Sequence, residues 1–466
     1  MNEQPAPHMS VLIAALAATL APIFGARLLT AAAARAPYAQ SEGHHHYDPP
    51  GLVVQPETIE EVQAAVRAAA THGVSIVGYG AGTSLEGNAA ANADSLLIDF
   101  SRMNRLLEVS EADLLCVVQP GLTREELNQE LRATGLFFPV DPGANASLGG
   151  MISTRASGTT TVRYGNMRDN ILALKVVTAD GTLLHTGTRA RKSASGYDLT
   201  HLFTGSEGTL GLIVEATLRL HGQPEKILAA TWDFGSVQGA VDTVIATIQS
   251  GVPIARMELL DEEAIRACNA QSGLSLAERP TLFLEFHGSD AGVQDQLATV
   301  KLIGESYGGG TLHFASATEE RNQLWTARHR ALWSAKAMIP GATAWTTDIC
   351  VPIGKLEEAI MRAKSAIAAS GLFAPVLGHV GDGNFHVMFI LPPDDPTSWD
   401  KARAINAAMV DHALSVGGTC TGEHGIGLGK RQAMLAEHGE EAVALMRRVK
   451  DALDPDGRLN PGKIFL

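Results

Sequence analysis

The sequence predicts an α+β protein built from two consecutive α+β halves. Three observations carry that expectation. Short apolar, strand-like runs alternate with capped helical segments along the whole chain. In the first half, glycine-rich loops follow the strand-like runs without opening convincing helices. The chain has 466 residues, 45% hydrophobic and 18% charged, enough for two or three cores at roughly 150 residues each.

Charge and cysteine content exclude whole classes. Thirty-six Lys and Arg against 50 Asp and Glu leave a net charge of −14, which argues against nucleic acid or an anionic membrane as the main partner. A locally basic pocket for an anionic substrate stays open. Cys116, Cys268, Cys350 and Cys420 are dispersed and form no C-x-x-C pair. A disulfide framework, a zinc knuckle and an iron–sulfur cluster are therefore not expected, and a reducing, cytoplasmic setting is.

Val11 to Ala26 carries no charge, contains Pro22 and is shorter than the about 20 apolar residues that a spanning helix needs. It is expected as a helix packing on the body, within an N-terminal segment 1–45. A signal, an anchor or peripheral membrane contact is the alternative, and no integral span is expected. His44-His45-His46 before Pro49-Pro50 is expected as a solvated turn. Thr58 and Glu61 form a capping-box pattern ahead of a helix that Gly73 ends. Val74–Val77 reads as a buried strand, then comes the loop Gly78 to Gly87. Leu114–Gln119 reads as a strand. Thr123 and Glu126 open a second capped helix that closes near Gly135. Ile171–Thr178, Asp180-Gly181 and Thr182–Thr186 read as a hairpin, and Leu212–Leu220 as a strand. Polar His221–Glu225 marks a boundary. Beyond it follow a helix over Val237–Ser250, the apolar run Thr281–Phe286 and a helix over Asp290–Tyr307.

Gly78, Gly80 and Gly82 lie just after a strand, where backbone N–H groups can approach phosphate. Their spacing is not the dinucleotide G-x-G-x-x-G, and Gly429-Lys430 lacks the Ser or Thr of a Walker A loop. Val140–Gly150, Ser157-Gly158, Arg163–Asn170 and Gly205-Ser-Glu-Gly-Thr-Leu-Gly211 add small, turn-rich runs. So many in one half suggest backbone lining an extended ligand.

In this order the loops resemble the FAD-binding domain of the vanillyl-alcohol oxidase and p-cresol methylhydroxylase superfamily. Trp325-Thr-Ala-Arg-His329, Thr347-Asp-Ile-Cys-Val-Pro352, Gly378–His386 and Gly422-Glu-His-Gly-Ile-Gly427 are similar to the D-lactate dehydrogenase (cytochrome) group. The resemblance runs from about Leu28 to Phe465. It implies an FAD-binding domain of that type over 46–223, a substrate and metal-binding α+β cap over 224–420, and a segment 421–466 returning to the flavin site. It also implies FAD, covalent or not, with its pyrophosphate on Gly80, Ala81, Gly82, Thr83 and Ser84. Pro142, Gly143, Ser147, Gly150, Ser157, Gly158, Glu207, Gly208, Gly211 and Ile213 would line the rest. One departure is Gly78, where the family often has proline, which should soften the loop.

Val376–Val380 and Phe385–Leu391 read as paired strands around the turn Gly381–Asn384. Pairing Val380 with Phe385 places His379 opposite His386, about 5 Å apart on one face. Two such imidazoles can share a divalent ion, zinc or manganese. Glu423 is the third candidate ligand, and His424, the next residue, would point to the opposite side. Satisfied structural histidines are the bland alternative. In the family the matching residues are two metal-binding histidines, a metal-binding glutamate and the catalytic base. Arg328 lies on a helix where sequence alone favours a solvated charge, with Arg330 as a competitor. By resemblance Arg328 holds the substrate carboxylate. Trp325 and Trp333 are expected in the core.

The expected activity is FAD-dependent oxidation of a small D-2-hydroxy acid, D-lactate first, with electrons passed to cytochrome c, a quinone or an electron-transfer flavoprotein. Glycolate or D-2-hydroxyglutarate oxidation is the alternative on the same scaffold. A non-redox metal-dependent hydrolase or binding subunit is the alternative of another class. A homodimer is compatible with the sequence.

Overall fold

The computed structural model describes residues 11–466, so residues 1–10 of the expected segment 1–45 lie outside the described residues. The helix Val11–Phe24 buries Ile13, Leu16, Leu20 and Phe24. Their spacing of three and four puts them on one face, which packs against the helix Ile59–His72. Burying each contributes on the order of 1.5–3 kcal/mol. Among the described residues no helix is long and apolar enough to cross a membrane.

The first half holds two sheets. In the four-stranded sheet, Leu52–Val54, Ser95–Asp99 and Ser75–Tyr79 run parallel, and Leu28–Leu29 adds an antiparallel edge. The five-stranded sheet is antiparallel, with Leu212–Arg219 between Leu115–Val118 and Ile171–Val177. The hairpin Ile171–Val177 to Leu183–Gly187 forms as expected from its Asp-Gly turn. Gly78 does not soften the glycine loop. It is paired with Ile98 inside the strand.

Both helix starts use their threonines. At Thr123 the reciprocal box is complete. At Thr58 only one arm forms, because Glu61 turns to Arg27 and the Glu57 N–H.

Past His221–Gly222, which pairs with Leu136–Phe137, an eight-stranded sheet forms the second half. Lys226–Phe234, Thr281–Gly288, Arg256–Leu260, Val376–Gly378 and Asn384–Leu391 are consecutive neighbours in it, all antiparallel. Helices Val237–Gln249, Asp290–Ser306 and Leu356–Ser370 cover it around one large apolar core. The chain then returns to the first half. Asn460 N–H donates to Ile76 O at 2.7 Å, and Ile76 N–H to Arg458 O at 2.8 Å.

Candidate active site

A cavity of about 300 Å³ lies between the halves. From the first half it is lined by Gly80, Ala81, Gly82, Thr83, Ser84, Pro142, Gly143, Ser147, Gly150, Glu207, Gly208, Gly211 and Ile213. Arg328, His379, His386, Glu423 and His424 line it from the second. Two expected residues, Ser157 and Gly158, do not line it; Gly158 packs on the Asp141 backbone, where no Cβ could fit. At Gly80 a Cβ would meet the Ser147 hydroxyl, so only glycine keeps this edge open. The Ser147 Oγ is buried without a partner. An open, glycine-edged wall with an unmet polar group fits a bound cofactor rather than a packed core.

Glu207 sits at φ +52°, in the left-handed region, and its carboxylate is already engaged. It accepts from Ile426 N–H at 2.7 Å, Gly427 N–H at 2.8 Å and Asn88 Nδ2 at 2.7 Å. It therefore ties the first half to the Gly422–Gly427 loop.

The histidine hairpin forms with a corrected register. His386 opposes Leu377, not His379. The turn closes as a 3₁₀ segment, Val380–Asp382, with Gly383 left-handed, which draws His379 out of the strand. The slip is two residues, yet the rings still meet, centroids 5.5 Å apart. His379 Nε2 and His386 Nε2 lie 3.2 and 3.3 Å from one oxygen of Glu423. Their other nitrogens are held from behind. His379 Nδ1 donates to Glu258 at 2.8 Å and His386 Nδ1 to the Thr347 carbonyl at 2.9 Å.

These residues fit a metal ion. A carbonyl only accepts, so His386 carries its proton on Nδ1 and, when neutral, aims the Nε2 lone pair at a carboxylate oxygen. A cation between them removes that repulsion. Burial pushes His379 down, yet Glu258 and Glu423 outweigh it and raise the imidazole well above its ordinary value. Burial likewise opposes ionisation of Glu423, and His379 and His386 still hold it well below the carboxylate range. The three groups together favour positive charge beside Glu423.

His424 stacks on His386, ring planes 9° apart. Burial lowers its pKa, with Asp348 opposing and His386 and Lys430 adding. The imidazole is thus neutral near pH 7 and able to take a proton. Sequence reasoning missed what orients it. Asp348, fully buried, accepts the Glu423 and His424 N–H groups at 3.0 Å each, and Lys430 Nζ stands 3.3 Å away. Arg328 is buried, with Nε and Nη2 on one oxygen of Glu258 at 2.9 and 2.6 Å. Arg330, the competitor, is exposed and does not line the cavity, and Trp325 is in the core, its expected place. Trp333 is not; it is 45% exposed and lines the cavity. His44 departs too. Its ring lies against His45, Trp345 and Trp399 instead of water, and burial pulls its pKa down to about 4.

Glycine loops from one half face a histidine and carboxylate cluster from the other across one cavity, the arrangement of an FAD-linked oxidoreductase. Residues 50–187 match the FAD binding domain family, and residues 223–464 match the family of FAD linked oxidases, C-terminal domain. The chain belongs to the FAD-linked oxidase family. It is 46% identical over 436 residues to "Probable D-lactate dehydrogenase, mitochondrial" of Danio rerio, covering 93% of this chain and 88% of the relative. It is 45% identical over 426 residues to "D-lactate dehydrogenase [cytochrome], mitochondrial" of Arabidopsis thaliana, covering 91% and 75%. The fold is that of p-cresol methylhydroxylase with substrate bound, at a TM-score of 0.79, 14% identity and 98% coverage of both chains.

Proposed function

We propose that the protein oxidises a small D-2-hydroxy acid, D-lactate to pyruvate first, with FAD as the immediate acceptor. One observation carries the substrate class. Arg328 is the single Arg or Lys on the cavity wall, beside the metal-type cluster and His424. The remaining nearby wall is His329, whose pKa burial draws down to about 4, with Thr346, Leu332, Trp333, Leu377 and Met388. One cation on a mostly apolar wall suits a monocarboxylate with a short tail. A second carboxylate, as in 2-hydroxyglutarate, would be left unpaired. The curated relatives named above support D-lactate.

In this reading Arg328 binds the carboxylate, its charge balanced by Glu258. His379, His386 and Glu423 would hold a zinc or manganese ion, which would supply Lewis-acid activation of the substrate hydroxyl. His424, kept neutral by burial, takes the hydroxyl proton. FAD would supply the hydride acceptor, and the Gly80–Ser84, Pro142–Gly150 and Glu207–Gly211 runs would hold it. The chain's own work is orientation and charge placement. Electrons then leave to a separate acceptor. Four unpaired cysteines support a cytoplasmic setting.

An anaerobic spectrum tests this. D-lactate should bleach the flavin bands of the purified protein, while L-lactate and D-2-hydroxyglutarate leave them largely unchanged at the same concentration. A protein without flavin bands, or one bleached best by the dicarboxylate, overturns the assignment.

A further inference from the structure

The glycine loop Gly78–Gly87 carries one charged residue, Glu86. It is buried and does not line the cofactor cavity, although its neighbours Leu85 and Asn88 do. A buried carboxylate needs partners. Lys430 Nζ stands 3.5 Å from its Oε1. Two imidazoles complete the surroundings. His45 Nε2 lies 3.6 Å from Oε2, and His424 Nδ1 lies 4.0 Å from Oε1. Both nitrogens are buried, and among the described residues neither has a hydrogen-bond partner. Orphan buried polar atoms are rare, so two of them facing the two oxygens of one acid call for a shared explanation.

The packing brings these groups together. At Gly429 a Cβ would run into Glu86 Oε2 and His45 Nε2, so only glycine lets the acid and His45 approach here. His44 packs on Trp345 and Trp399, which anchors His45 over the loop. On its other side the His424 ring faces the chemistry. Its Nε2 lies 4.0 Å from the Glu423 oxygen that His379 and His386 share. Asp348 fixes the backbone of His424, but a backbone bond leaves the side-chain torsions free. A neutral imidazole carries its proton on one nitrogen, and the bond made there decides which. With Nδ1–H directed at Glu86, Nε2 keeps its lone pair for the cavity. The reverse tautomer would leave the base with none.

We propose that Glu86 is the positioning residue that holds Nδ1 of His424 and so fixes the Nε2 lone pair toward the substrate. The inference rests on the reading above, in which His424 takes the hydroxyl proton. Closing the 4.0 Å gap to the roughly 2.7–2.9 Å of a charge-assisted bond takes about 1 Å of side-chain movement. Bonds of this kind are often long until substrate binds, and tighten in the complex. Glu86 belongs to the first half and His424 to the segment that returns from the second. The first half thereby acts on the base as well as on the cofactor wall.

The test uses the protein loaded with FAD and zinc, and its first readout needs no turnover. Nitrogen NMR spectra of protein with isotope-labelled histidine rings report the tautomer, and His424 is assigned by the signals lost in His424→Gln. The wild-type ring should carry its proton on Nδ1 with Nε2 bare. Glu86→Leu keeps bulk and removes the acceptor, so the proton should move to Nε2. Glu86→Gln retains an acceptor oxygen and should keep it on Nδ1. In anaerobic stopped flow with D-lactate, Glu86→Leu should lower the limiting rate of flavin reduction by about 100-fold or more, with half-saturation within about threefold of wild type. Glu86→Gln should recover most of that rate. A wild-type proton on Nε2, an unchanged tautomer in Glu86→Leu, or a reduction rate in it within about twofold of wild type overturns the proposal. The wild-type spectrum decides even where Glu86→Leu does not fold. Failure of D-lactate to reduce the wild-type flavin sinks the substrate reading instead, and the tautomer spectra still judge Glu86.

Discussion

Glu258→Gln replaces a fully buried carboxylate that no local sequence motif marks. Its two oxygens face donors only. One takes Arg328 Nε–H and Nη2–H at 2.9 and 2.6 Å, the other His379 Nδ1–H at 2.8 Å. Glutamine keeps one acceptor oxygen and turns the other position into an NH₂ donor. A guanidinium has no acceptor, so the amide oxygen must go to Arg328 and the NH₂ to His379. His379 Nδ1 then has to accept, which moves the ring proton to Nε2, the atom that faces Glu423 at 3.2 Å. A protonated Nε2 is no metal ligand. Losing an outer partner of this kind lowers metal affinity about 10–100-fold. That is about 1.4–2.8 kcal/mol at 1.4 kcal/mol per tenfold. Competition with a chelator of known affinity, for zinc and for manganese, reads the change directly. The flavin spectrum is the control and should not move, since Glu258 does not line the cofactor cavity. Metal Kd values within twofold of wild type in Glu258→Gln, alongside lost binding in Glu423→Gln, would refute the tautomer argument while leaving the site intact.

Asp348→Asn should keep FAD but slow anaerobic flavin reduction by about 100-fold, because an amide cannot accept all the donors now converging on that carboxylate and the His424 ring shifts. A reduction rate within twofold of wild type would count against this. Arg328→Lys keeps the charge and loses the fork, so KM for the hydroxy acid should rise roughly 10–100-fold, with kcat less affected; an unaltered KM contradicts the carboxylate role. Lys463 is buried against the carbonyls of Ala90 and Pro461, and burial draws it down to about 8 from 10.5. The unfolded chain then binds this proton more tightly than the folded one, so stability should rise with pH above about 8. Chemical denaturation between pH 7.5 and 9.5 should show that rise in the wild type and a flatter profile in Lys463→Met.

What could be read in the chain and what could not differ in a physical way. The glycine runs, the His379/His386 hairpin and Glu423-His424 were legible because each places its chemistry within a few contiguous residues. Even there, a connection longer than expected moved the register by two, and His379 meets His386 from the 3₁₀ turn that follows the strand rather than from a paired strand position. The polar supports were not legible, because each is a lone charge far in sequence from what it holds. Glu258 acts 70 residues from Arg328 and 121 from His379. A signal was present nonetheless: an acid inside the strand run Arg256–Leu260 had to be paired or expelled from the core. The same holds for Asp348 in the apolar run toward Pro352.

Those supports also explain why the active site needs two halves. The Gly422–Gly427 loop has almost no regular structure of its own, and its N–H groups are divided between two buried carboxylates. Asp348 of the second half takes those of Glu423 and His424. Glu207 of the first takes those of Ile426 and Gly427. A loop strung this way cannot shift toward one half without losing charge-assisted bonds to the other, each worth about 1.5–3 kcal/mol. The position of His424 over the cavity is therefore set by the docking of the two halves, and a change that loosens their interface should slow flavin reduction before it releases FAD.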